Sequence, residues 1–389
     1  MKGTPKAKKL RVGVLFGGRS GEHEVSLVSA ASVMRGLDPE KYDVVPIGIT
    51  KQGRWVLPRG RLGLASLSHG QLRSALTNGS GVVLPAEPAS GSLMPAQPAE
   101  VLAPESLRLD VVFPVLHGTF GEDGTVQGLL ELAALPYVGA GVLGSALGMD
   151  KEVQKRLFLQ AGLPATKHVC LRHHEWQANR RAVVTAVRRC LRYPLFVKPA
   201  NLGSSVGISK VHRAGELAAG VEHAFEFDSK ILIEQGIAGR EIEVSVLGNE
   251  EPRASAPGEV IPAREFYDYT AKYLEDSTRF IVPAPLTARQ RRRFQELAVA
   301  AFRALECEGM ARVDFLLAGR TGAIYINEVN TIPGFTAISM YPKLWEASGV
   351  PYGELLDRLI ELARARHREK SRRRFSIELP AQRGGVLKE

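Results

Sequence analysis

The sequence has few cysteines, and their arrangement is typical of neither a disulfide framework nor a metal site. Only three occur among 389 residues, an odd number, at Cys170, Cys190 and Cys307. Their spacing matches no zinc-binding pattern, and small secreted domains stapled by disulfides carry a much higher density of cysteine. We therefore expect reduced thiols in a cytoplasmic protein, since thiols stay reduced in that compartment.

Long apolar runs are also missing. A membrane-spanning helix needs about 18 or more consecutive apolar residues, and no run in the chain approaches that length. The first residues are basic, but Gly17-Gly18-Arg19 interrupts the apolar run that follows, so we expect no signal peptide. The composition, 44% hydrophobic and 24% charged, is that of a soluble globular protein, and the length allows two or three domains.

Acidic residues are scarce at the two ends of the chain, where much of the net charge of +10 resides. The basic segments are residues 2–9 and 364–374. Such segments can contact nucleic acid or anionic lipid, but no interleaved aromatic residues or nucleic-acid motif accompany these two. We predict solvated tails, with neither nucleic acid nor a membrane as a partner. Truncation after Ala365 should then leave activity unchanged.

Strands and helices are predicted to alternate from the beginning of the chain. Residues 10–16 form a short apolar strand, a helix follows to Gly36, and residues 43–49 form the next strand. This βαβ opening favours a parallel sheet. By contrast, residues 51–107 are rich in Gly, Ser, Pro and Ala and have weak periodicity, so we expect an irregular surface insertion there.

The first strand–helix turn does not carry a dinucleotide-binding pattern. Its glycines give G-G-x-x-G rather than G-x-G-x-x-G, and Glu22 follows at once. A carboxylate at a helix N-terminus competes with a phosphate for the same positive pole. Glu22 is therefore a candidate to bind an ammonium group. The alternative is that it only stabilises the helix dipole.

His117 is a second ligand candidate. It stands at the end of a predicted strand, residues 109–116, and glycines and acidic residues follow it. Ligands of α/β sheets bind at the carboxyl ends of parallel strands, which favours a binding role. A structural histidine in a turn is the alternative.

A glycine- and serine-rich hairpin is predicted between strands at residues 193–199 and 208–211. Such a loop exposes many backbone N–H groups and can cover phosphates as a flexible flap. Lys198, immediately before the loop, can reach a phosphate as a point charge. An ordinary flexible hairpin remains the alternative.

Two further stretches suggest a nucleotide. Glu234 and Gln235 end a predicted strand, where a carboxylate and an amide can bind the edge of an adenine, and Glu241 could hold ribose hydroxyls. A solvated sheet edge would explain the same residues. Residues 263–285 have little periodicity and contain an unusual aromatic and charged run, which indicates a functional lid.

The stretch richest in candidate chemistry is a predicted hairpin at residues 310–334. Arg312 and Asp314 share one face of its first strand, and Glu328 and Asn330 share one face of its second, because alternate residues point the same way. Two carboxylates and an amide oxygen suit a hard divalent cation such as Mg²⁺. Arg312 offers a fixed cation for developing negative charge. The alternative is the polar outer face of an ordinary hairpin.

Seven motifs follow one another along the chain: Gly17-Gly18-x-Ser20-x-Glu22-x-Glu24-Val25-Ser26, His117-Gly118-x-x-Gly121-Glu122-Asp123-Gly124, Met149-Asp150-Lys151, Val197-Lys198-Pro199 with Gly203-Ser204-Ser205-Val206-Gly207, Phe266-Tyr267-Asp268-Tyr269-x-x-Lys272-Tyr273, Ala311-Arg312-Val313-Asp314, and Asn327-Glu328-Val329-Asn330-Thr331-x-Pro333-Gly334. This ordered set resembles the D-alanine–D-alanine ligase family of ATP-grasp enzymes. The resemblance covers roughly residues 10–365, apart from the insertion and the tails.

The resemblance implies an α/β protein with a three-domain ATP-grasp fold and a Rossmann-like N-terminal domain. We expect a substrate-binding domain at residues 1–140, which includes the insertion at 51–107. The central ATP-grasp subdomain would be residues 141–238 and the C-terminal subdomain, with the metal and oxyanion sites, residues 239–366. A basic tail, residues 367–389, would follow. By the same analogy the protein would be a homodimer.

The resemblance also implies a reaction in two steps. The carboxylate of one D-alanine attacks the γ-phosphate of ATP and gives an acyl phosphate. The amine of a second D-alanine then attacks that carbonyl and phosphate leaves, which yields D-alanyl-D-alanine for peptidoglycan synthesis. Relatives that use D-lactate or D-serine as the second substrate are the alternative, but Tyr273 in the lid resembles the dipeptide-forming type.

For the nucleotide and the metals, the resemblance implies a set of contact residues. ATP would be bound by Lys151, Lys198, Ser205, Glu234, Gln235, Ile237, Glu241, Phe266, Lys272 and Asn327. Two Mg²⁺ or Mn²⁺ ions would be held by Asp314, Glu328 and Asn330. Gln235 stands where lysine is usual and Asn327 where an apolar residue is usual, which predicts altered adenine contacts. Asn201-Leu202 likewise replaces a charged pair in the flap.

For the two D-alanines, the resemblance implies a second set. Glu22 would bind the ammonium group of the first D-alanine, and His117 would lie near its carboxylate. Ser339 and Met340 would place the second D-alanine. Arg312 and the Gly334 N–H would stabilise the tetrahedral oxyanion. Ser204 and Tyr273 would link the flap and the lid to Glu22, so that water is excluded from the acyl phosphate.

Overall fold

A computed structural model describes residues 8–60, 62–88, 91–97, 108–261 and 278–376. In these ranges the strands form three sheets, of six, four and six strands, and helices pack against them. The α/β class is therefore confirmed. None of the helices in these ranges is both long and apolar enough to cross a membrane. The three cysteines are free thiols, as predicted.

The first sheet is built on parallel strands, as the βαβ opening predicts. Its elements are β1 (Leu10–Gly17), α1 (His23–Gly36), β2 (Tyr42–Ile49), β6 (Val111–Pro114) and α3 (Thr125–Leu132). Strand β1 pairs in parallel with β2 on one side and β6 on the other. Gly17 ends β1 at a φ of +91°, and a Cβ there would lie 2.2 Å from the Ile49 carbonyl oxygen. Only glycine lets the chain leave the sheet at this point.

The predicted irregular insertion is largely regular, so that prediction is wrong for the described part of residues 51–97. It forms β3 (Trp55–Leu57), a 3₁₀ turn (Leu64–Ser66), α2 (His69–Asn78), β4 (Ser80–Val83) and β5 (Met94–Pro95). The strands extend the first sheet in antiparallel fashion. Ser68 and Gln71 form a capping box for α2, and Leu72 is fully buried. The strands are too short to show a period, although the capping box was readable in the sequence.

The second sheet is antiparallel. Its region contains α4 (Val142–Met149), α5 (Lys151–Gln160), β7 (His168–Arg172), α6 (His173–Ala178), α7 (Arg180–Cys190), β8 (Leu195–Pro199), β9 (Ser209–Val211), a 3₁₀ turn (Ala214–Glu216), α8 (Leu217–Phe225) and β10 (Lys230–Gln235). The strand order is β7-β10-β8-β9. Asp150 caps α5, because its carboxylate accepts the N–H groups of Glu152 and Val153. Asn179 separates α6 from α7 and caps α7.

The third sheet lies in the last part of the chain. Its region contains β11 (Gly239–Gly248), β12 (Arg253–Ala254), β13 (Gly258–Ile261), β14 (Arg279–Ile281), α9 (Ala288–Ala304), β15 (Gly309–Ala318), β16 (Ile324–Asn330), α10 (Met340–Glu346) and α11 (Tyr352–Ser371). Strands β11 and β15 pair at its centre. Thr287 caps α9 with Gln290. The apolar stripe of α9, which includes Phe294 and Phe302, is buried against this sheet.

Helix α11 packs on the first sheet, where its Leu355 and Leu359 share a core with β1 and α1. Near its end, Arg366 lies 4.5 Å above the Tyr137 ring and donates to the main-chain oxygens of Tyr137 and Gly139. Lys370 pairs with Glu131 at 2.7 Å. The prediction of a solvated tail is therefore wrong for residues 364–367, which are partly buried. Residues 368–371 are exposed but continue the helix, because no residue breaks it.

Candidate active site

A cleft of about 1510 Å³ lies where the second and third sheets face helix α1. Most of the residues predicted for the site line it: Lys151, Lys198, Ser204, Ser205, Glu234, Gln235, Ile237, Glu241, Arg312, Asp314, Asn327, Glu328, Gly334, Ser339 and Met340. Phe266, Lys272 and Tyr273 lie outside the described residues. Side chains that are far apart in the sequence therefore converge on one space large enough for a nucleotide and a small second ligand.

The hairpin of β15 and β16 places the predicted metal ligands side by side. In its register Asp314 lies opposite Glu328, and Arg312 lies opposite Asn330. The Asn330 amide donates to Asp314 at 2.9 Å. Residues of β15 alternate between buried and partly exposed, with Val313 and Phe315 on the buried face. The predicted polar face is therefore the face that lines the cleft.

Arg312 lies among three carboxylates. Its Nε and Nη2 atoms each donate to Asp314 at 2.7 Å, and Nε also lies 3.0 Å from Glu243 on the neighbouring strand β11. Burial alone would lower the pKa of Arg312, but Asp314, Glu243 and Glu328 raise it well above its ordinary value. The guanidinium is therefore a permanent and fixed positive charge at the cleft.

Two lysines line the cleft close to the hairpin. Lys151, at the start of α5, lies 3.2 Å from Glu328 and donates to the Leu202 carbonyl oxygen in the flap at 2.7 Å. Lys198 is the penultimate residue of β8 and lies 3.4 Å from the Asn327 amide oxygen. Burial opposes the charge of Lys198, but Glu234 and Glu328 raise its pKa. Both ammonium groups thus lie where a phosphate chain could bind.

Glu234 differs from the expected adenine contact. Its carboxylate is 3% exposed and forms ion pairs with Lys155 and Lys198, and the Thr166 hydroxyl donates to it. Burial alone would raise the pKa of Glu234, yet the two ammonium groups hold it well below its usual range. The Glu234 carboxylate is thus bound to Lys155 and Lys198 within the protein. Lys155 was not predicted, although it lies one turn after Lys151 on the same helix face.

Glu22 stands at the N-cap of α1, but its side chain makes no capping hydrogen bond. Its carboxylate accepts the Ser204 hydroxyl of the flap, the contact that the resemblance implies. A Cβ at Gly118 or Gly203 would lie 2.8 Å or 2.6 Å from its Oε2 atom, so glycine at both positions makes room for the carboxylate. The Ser204–Glu22 hydrogen bond therefore joins the flap to the first domain.

The flap itself is strained. Ser204 and Ser205 have φ angles of 50° and 59°, in the left-handed region that favours glycine. Such conformations cost on the order of 1–3 kcal/mol each and concentrate at functional sites. The Ser204–Glu22 hydrogen bond is one interaction that offsets this cost.

His117 lies behind the cleft rather than on its surface. It is 5% exposed, and its Nδ1 and Nε2 atoms are hydrogen-bonded to the Ile332 carbonyl oxygen at 3.0 Å and to the Ser29 Oγ atom at 3.2 Å. Burial lowers its pKa, so the ring is neutral near pH 7. Ser29 was not predicted, because a serine inside an amphipathic helix gives no distinctive signal.

Gly334, Ser339 and Met340 line one side of the cleft. The Ser339 Oγ atom accepts the Thr336 N–H at 3.1 Å and lies 2.7 Å from the Thr336 hydroxyl. Met340 begins α10 and packs against Val260 and Leu344. These contacts hold the end of the loop between β16 and α10 in place.

The residues at the hairpin fit a divalent cation. Within the ranges that the structure describes, no cluster of three or more His, Cys, Asp or Glu side chains could hold a metal. The set that is present has two carboxylates, Asp314 and Glu328, and the amide oxygen of Asn330. Because Mg²⁺ usually binds one or two carboxylates and completes its shell with phosphate oxygens and water, this partial set suits it.

Comparison with known proteins gives matches along nearly the whole chain. The family model "D-ala D-ala ligase N-terminus" matches residues 11–140, and "D-ala D-ala ligase C-terminus" matches residues 157–361. A D-alanine–D-alanine ligase from Natranaerobius thermophilus is 50% identical over 365 residues, which cover 94% of this chain and 98% of the relative. One from Solibacter usitatus is 52% identical over 368 residues, covering 95% and 99%.

Solved structures agree with these sequence matches. The D-alanine-D-alanine ligase from Coxiella burnetii superposes with a TM-score of 0.81 at 38% identity, and the match covers 94% of this chain and 97% of that one. The VanG D-Ala:D-Ser ligase from Enterococcus faecalis gives 0.80 at 38% identity, covering 92% and 100%. Both sequence and fold are therefore shared with these ligases.

Proposed function

The chain belongs to the D-alanine–D-alanine ligase family of ATP-dependent ATP-grasp enzymes, and we propose that its cleft carries out both steps of the ligation with the residues described above. The protein joins two D-alanines to D-alanyl-D-alanine for peptidoglycan synthesis. The observation that carries the site assignment is the register of β15 and β16, which puts Asp314 and Glu328 opposite each other beside Arg312. Phosphoryl transfer and peptide-bond formation then share one hairpin.

In the first step the chain binds ATP and neutralises its phosphates. Lys151 and Lys198 contact phosphate oxygens, and Asp314, Glu328 and Asn330 would hold two divalent cations, Mg²⁺ or Mn²⁺. When bound, the cations reduce the negative charge that repels the attacking carboxylate. The support is the convergence of both lysines and both carboxylates on one cleft.

The adenosine end of ATP lies toward the exit of β10 and the start of β11. Gln235, Ile237 and Glu241 line the cleft there and are proposed to contact adenine and ribose. Glu234 acts on this side through its ion pairs, since its carboxylate holds Lys198 in place. Ser205 and Asn327 also line the cleft and are proposed to contact the nucleotide. Phe266 and Lys272 are proposed to contact it from the lid predicted at residues 263–285.

The first D-alanine is held by its ammonium group at Glu22. Its carboxylate then attacks the γ-phosphate, with departure of ADP, and forms D-alanyl phosphate. Ser204 joins the flap to Glu22, and Tyr273 is proposed to do so from the lid. Closure of this kind excludes water from an acyl phosphate that would otherwise be hydrolysed.

In the second step the amine of the other D-alanine, placed by Ser339 and Met340, attacks the acyl carbon. The carbonyl oxygen becomes an oxyanion, which the Arg312 guanidinium and the Gly334 N–H stabilise. The tetrahedral species collapses, phosphate leaves with the C–O bonding electrons, and the amine loses a proton. The product is the amide.

Three finer proposals accompany this mechanism. D-Alanine is the second substrate rather than D-lactate or D-serine, because the relatives at about 50% identity are named D-alanine–D-alanine ligases and the D-Ala:D-Ser enzyme is 38% identical. The division into domains at residues 140 and 238 and a homodimeric state follow from family analogy. The free thiols and the lack of a membrane-spanning helix among the described residues support a cytoplasmic location.

An assay with ATP, Mg²⁺ and D-alanine alone tests the function. We expect ADP, phosphate and D-alanyl-D-alanine in equal amounts, with the dipeptide identified by mass spectrometry. If product formed only after D-lactate or D-serine was added, the dipeptide assignment would be wrong. A light-scattering measurement of molar mass tests the dimer.

A further inference from the structure

Three backbone groups of residues 332–335 are hydrogen-bonded to side chains, one before Gly334 and two after it. The Ile332 carbonyl oxygen accepts from His117 at 3.0 Å, and the Phe335 N–H donates to the Ser29 Oγ atom at 3.3 Å. The Phe335 carbonyl oxygen accepts the Tyr352 hydroxyl at 2.8 Å. Pro333 has no N–H to donate. The Gly334 N–H itself has no partner among the described residues, and Gly334 lines the cleft.

The directions of these hydrogen bonds are fixed by their chemistry. A carbonyl oxygen can only accept, so the His117 Nδ1 atom carries the proton toward Ile332. Because burial lowers the pKa of His117, the ring is neutral and Nε2 accepts the Ser29 hydroxyl. The Ser29 oxygen then accepts the Phe335 N–H. His117 and Ser29 form a one-directional relay that begins at Phe335, ends at Ile332 and spans Gly334.

Glu122 supports the same segment from the first domain. Its carboxyl group accepts the Gly118 N–H at 2.8 Å, and the nearby Ile332 N–H favours its charged form. Side chains of the first domain thereby bind the carbonyl oxygen of Ile332 and the N–H of Phe335. The Phe335 ring is buried, with its centroid 5.8 Å from that of Phe113 on β6. The segment on either side of Gly334 therefore cannot shift without breaking contacts with the first domain.

We propose that His117 and Ser29 are positioning residues for the second chemical step, which fix the Gly334 N–H where the oxyanion develops. This inference rests on the proposed function and replaces the expected contact between His117 and the substrate carboxylate. Both ring nitrogens of His117 are already bound within the protein, and the ring is 5% exposed. Its effect on substrate is transmitted through the backbone.

The relay gives specific kinetic expectations. A displaced oxyanion donor costs on the order of 10-fold to 100-fold in rate, since it acts only in the transition state. Ser29→Ala should lower kcat for dipeptide formation by that factor and leave KM for the first D-alanine unchanged. Acyl phosphate formation, trapped with hydroxylamine as the hydroxamate, should proceed at close to the wild-type rate. His117→Asn, whose amide can still donate to Ile332, should be less impaired than His117→Ala.

Ser145→Ala is the matched control, because Ser145 is also a fully buried helical serine but bonds to Ala140 outside the relay. The double variant Ser29→Ala with His117→Asn should cost less than the sum of the single effects, because both act on one network. A tetrahedral phosphinate analogue should bind more weakly to each relay variant.

The outcomes separate the two proposals. If the wild-type chain formed no dipeptide, the proposed function would fail. If it did, and Ser29→Ala behaved like Ser145→Ala, only the relay would be overturned. A raised KM for the first D-alanine in the His117 variants, with kcat unchanged, would instead show direct substrate contact and would also overturn it.

Discussion

Asp314 and Glu328 face each other directly across the antiparallel pair β15 and β16, and a positive group is bound to each. Arg312 holds Asp314 through two hydrogen bonds of 2.7 Å, and Lys151 lies 3.2 Å from Glu328. The two carboxylates therefore stand between the proposed oxyanion site and the proposed phosphate site. This placement explains how one short hairpin can serve both chemical steps.

Replacement of Arg312 tests its part in the second step. Arg312→Lys removes the paired hydrogen bonds to Asp314 and displaces the charge, since a lysine cannot match the planar guanidinium. We expect kcat for the dipeptide to fall about 100-fold to 1000-fold, as for loss of an oxyanion donor. Arg303→Lys, at an exposed position of α9, is the control. Equal activity of the two variants would exclude the assigned role.

The link between the flap and Glu22 is tested by Ser204→Ala. A hydrogen bond to a charged group contributes about 1.5–3 kcal/mol, so its loss should favour the open flap about 10-fold to 100-fold. Water would then reach the acyl phosphate, and the ratio of phosphate released to dipeptide formed should rise above one. Ser66→Ala, at an exposed serine, should keep the ratio at one. A ratio that stayed at one in Ser204→Ala would show that this bond does not exclude water.

Stability should depend on pH through Glu122. Burial and the nearby Glu22 raise the pKa of Glu122 from 4.5 to about 8. The folded state therefore binds this proton more tightly than the unfolded state, and its contribution is complete below pH 4.5 and is lost as pH rises toward 8. Glu122→Gln should remove this decrease in stability with rising pH. Tm measured from about pH 4.5 to 8.5 for both proteins checks this expectation. Parallel Tm curves for the wild type and the variant would contradict the assignment.

The end of α11 is expected to matter for stability. Arg366→Ala removes the contact with the Tyr137 ring and two main-chain hydrogen bonds, and we expect a loss of about 1–2 kcal/mol. Truncation after Ala365 removes the same contacts and should lower Tm in the same way. Truncation after Ser376 leaves α11 intact and should have little effect. Arg368→Ala is the exposed control in urea unfolding, and equal losses would refute the packing role.

Local patterns in the sequence predicted much of the fold and of the site. The two-residue period of strands placed Arg312 and Asp314 on one face of β15, and Glu328 and Asn330 on one face of β16. This prediction needs no information about the tertiary structure. The caps at Asp150 and Thr287 were readable for the same reason. Helix α2 and strands β3 to β5 were not predicted, since very short edge strands show no period and gain their order from the sheet that they extend.

The interior of the site could not be predicted from patterns. Glu234 looked like an exposed strand end, but the fold buries it between Lys155 and Lys198, which come from α5 and β8. The partnership of His117 with Ser29 depends on how α1 packs beside residues 332–335. Such contacts join segments that are far apart in the chain, and no local spacing encodes them.

The most direct test of the hairpin assignment is cation binding by Glu328→Gln. Electron paramagnetic resonance can count the Mn²⁺ bound per chain in the presence of an ATP analogue, without reference to turnover. We expect two ions in the wild type, at least one fewer in the variant, and no detectable dipeptide from the variant. Glu354→Gln, at a position on α11 whose carboxylate pairs with Arg358, is the control and should bind two ions. A Glu328→Gln protein that bound two Mn²⁺ ions and remained active would contradict the central claim.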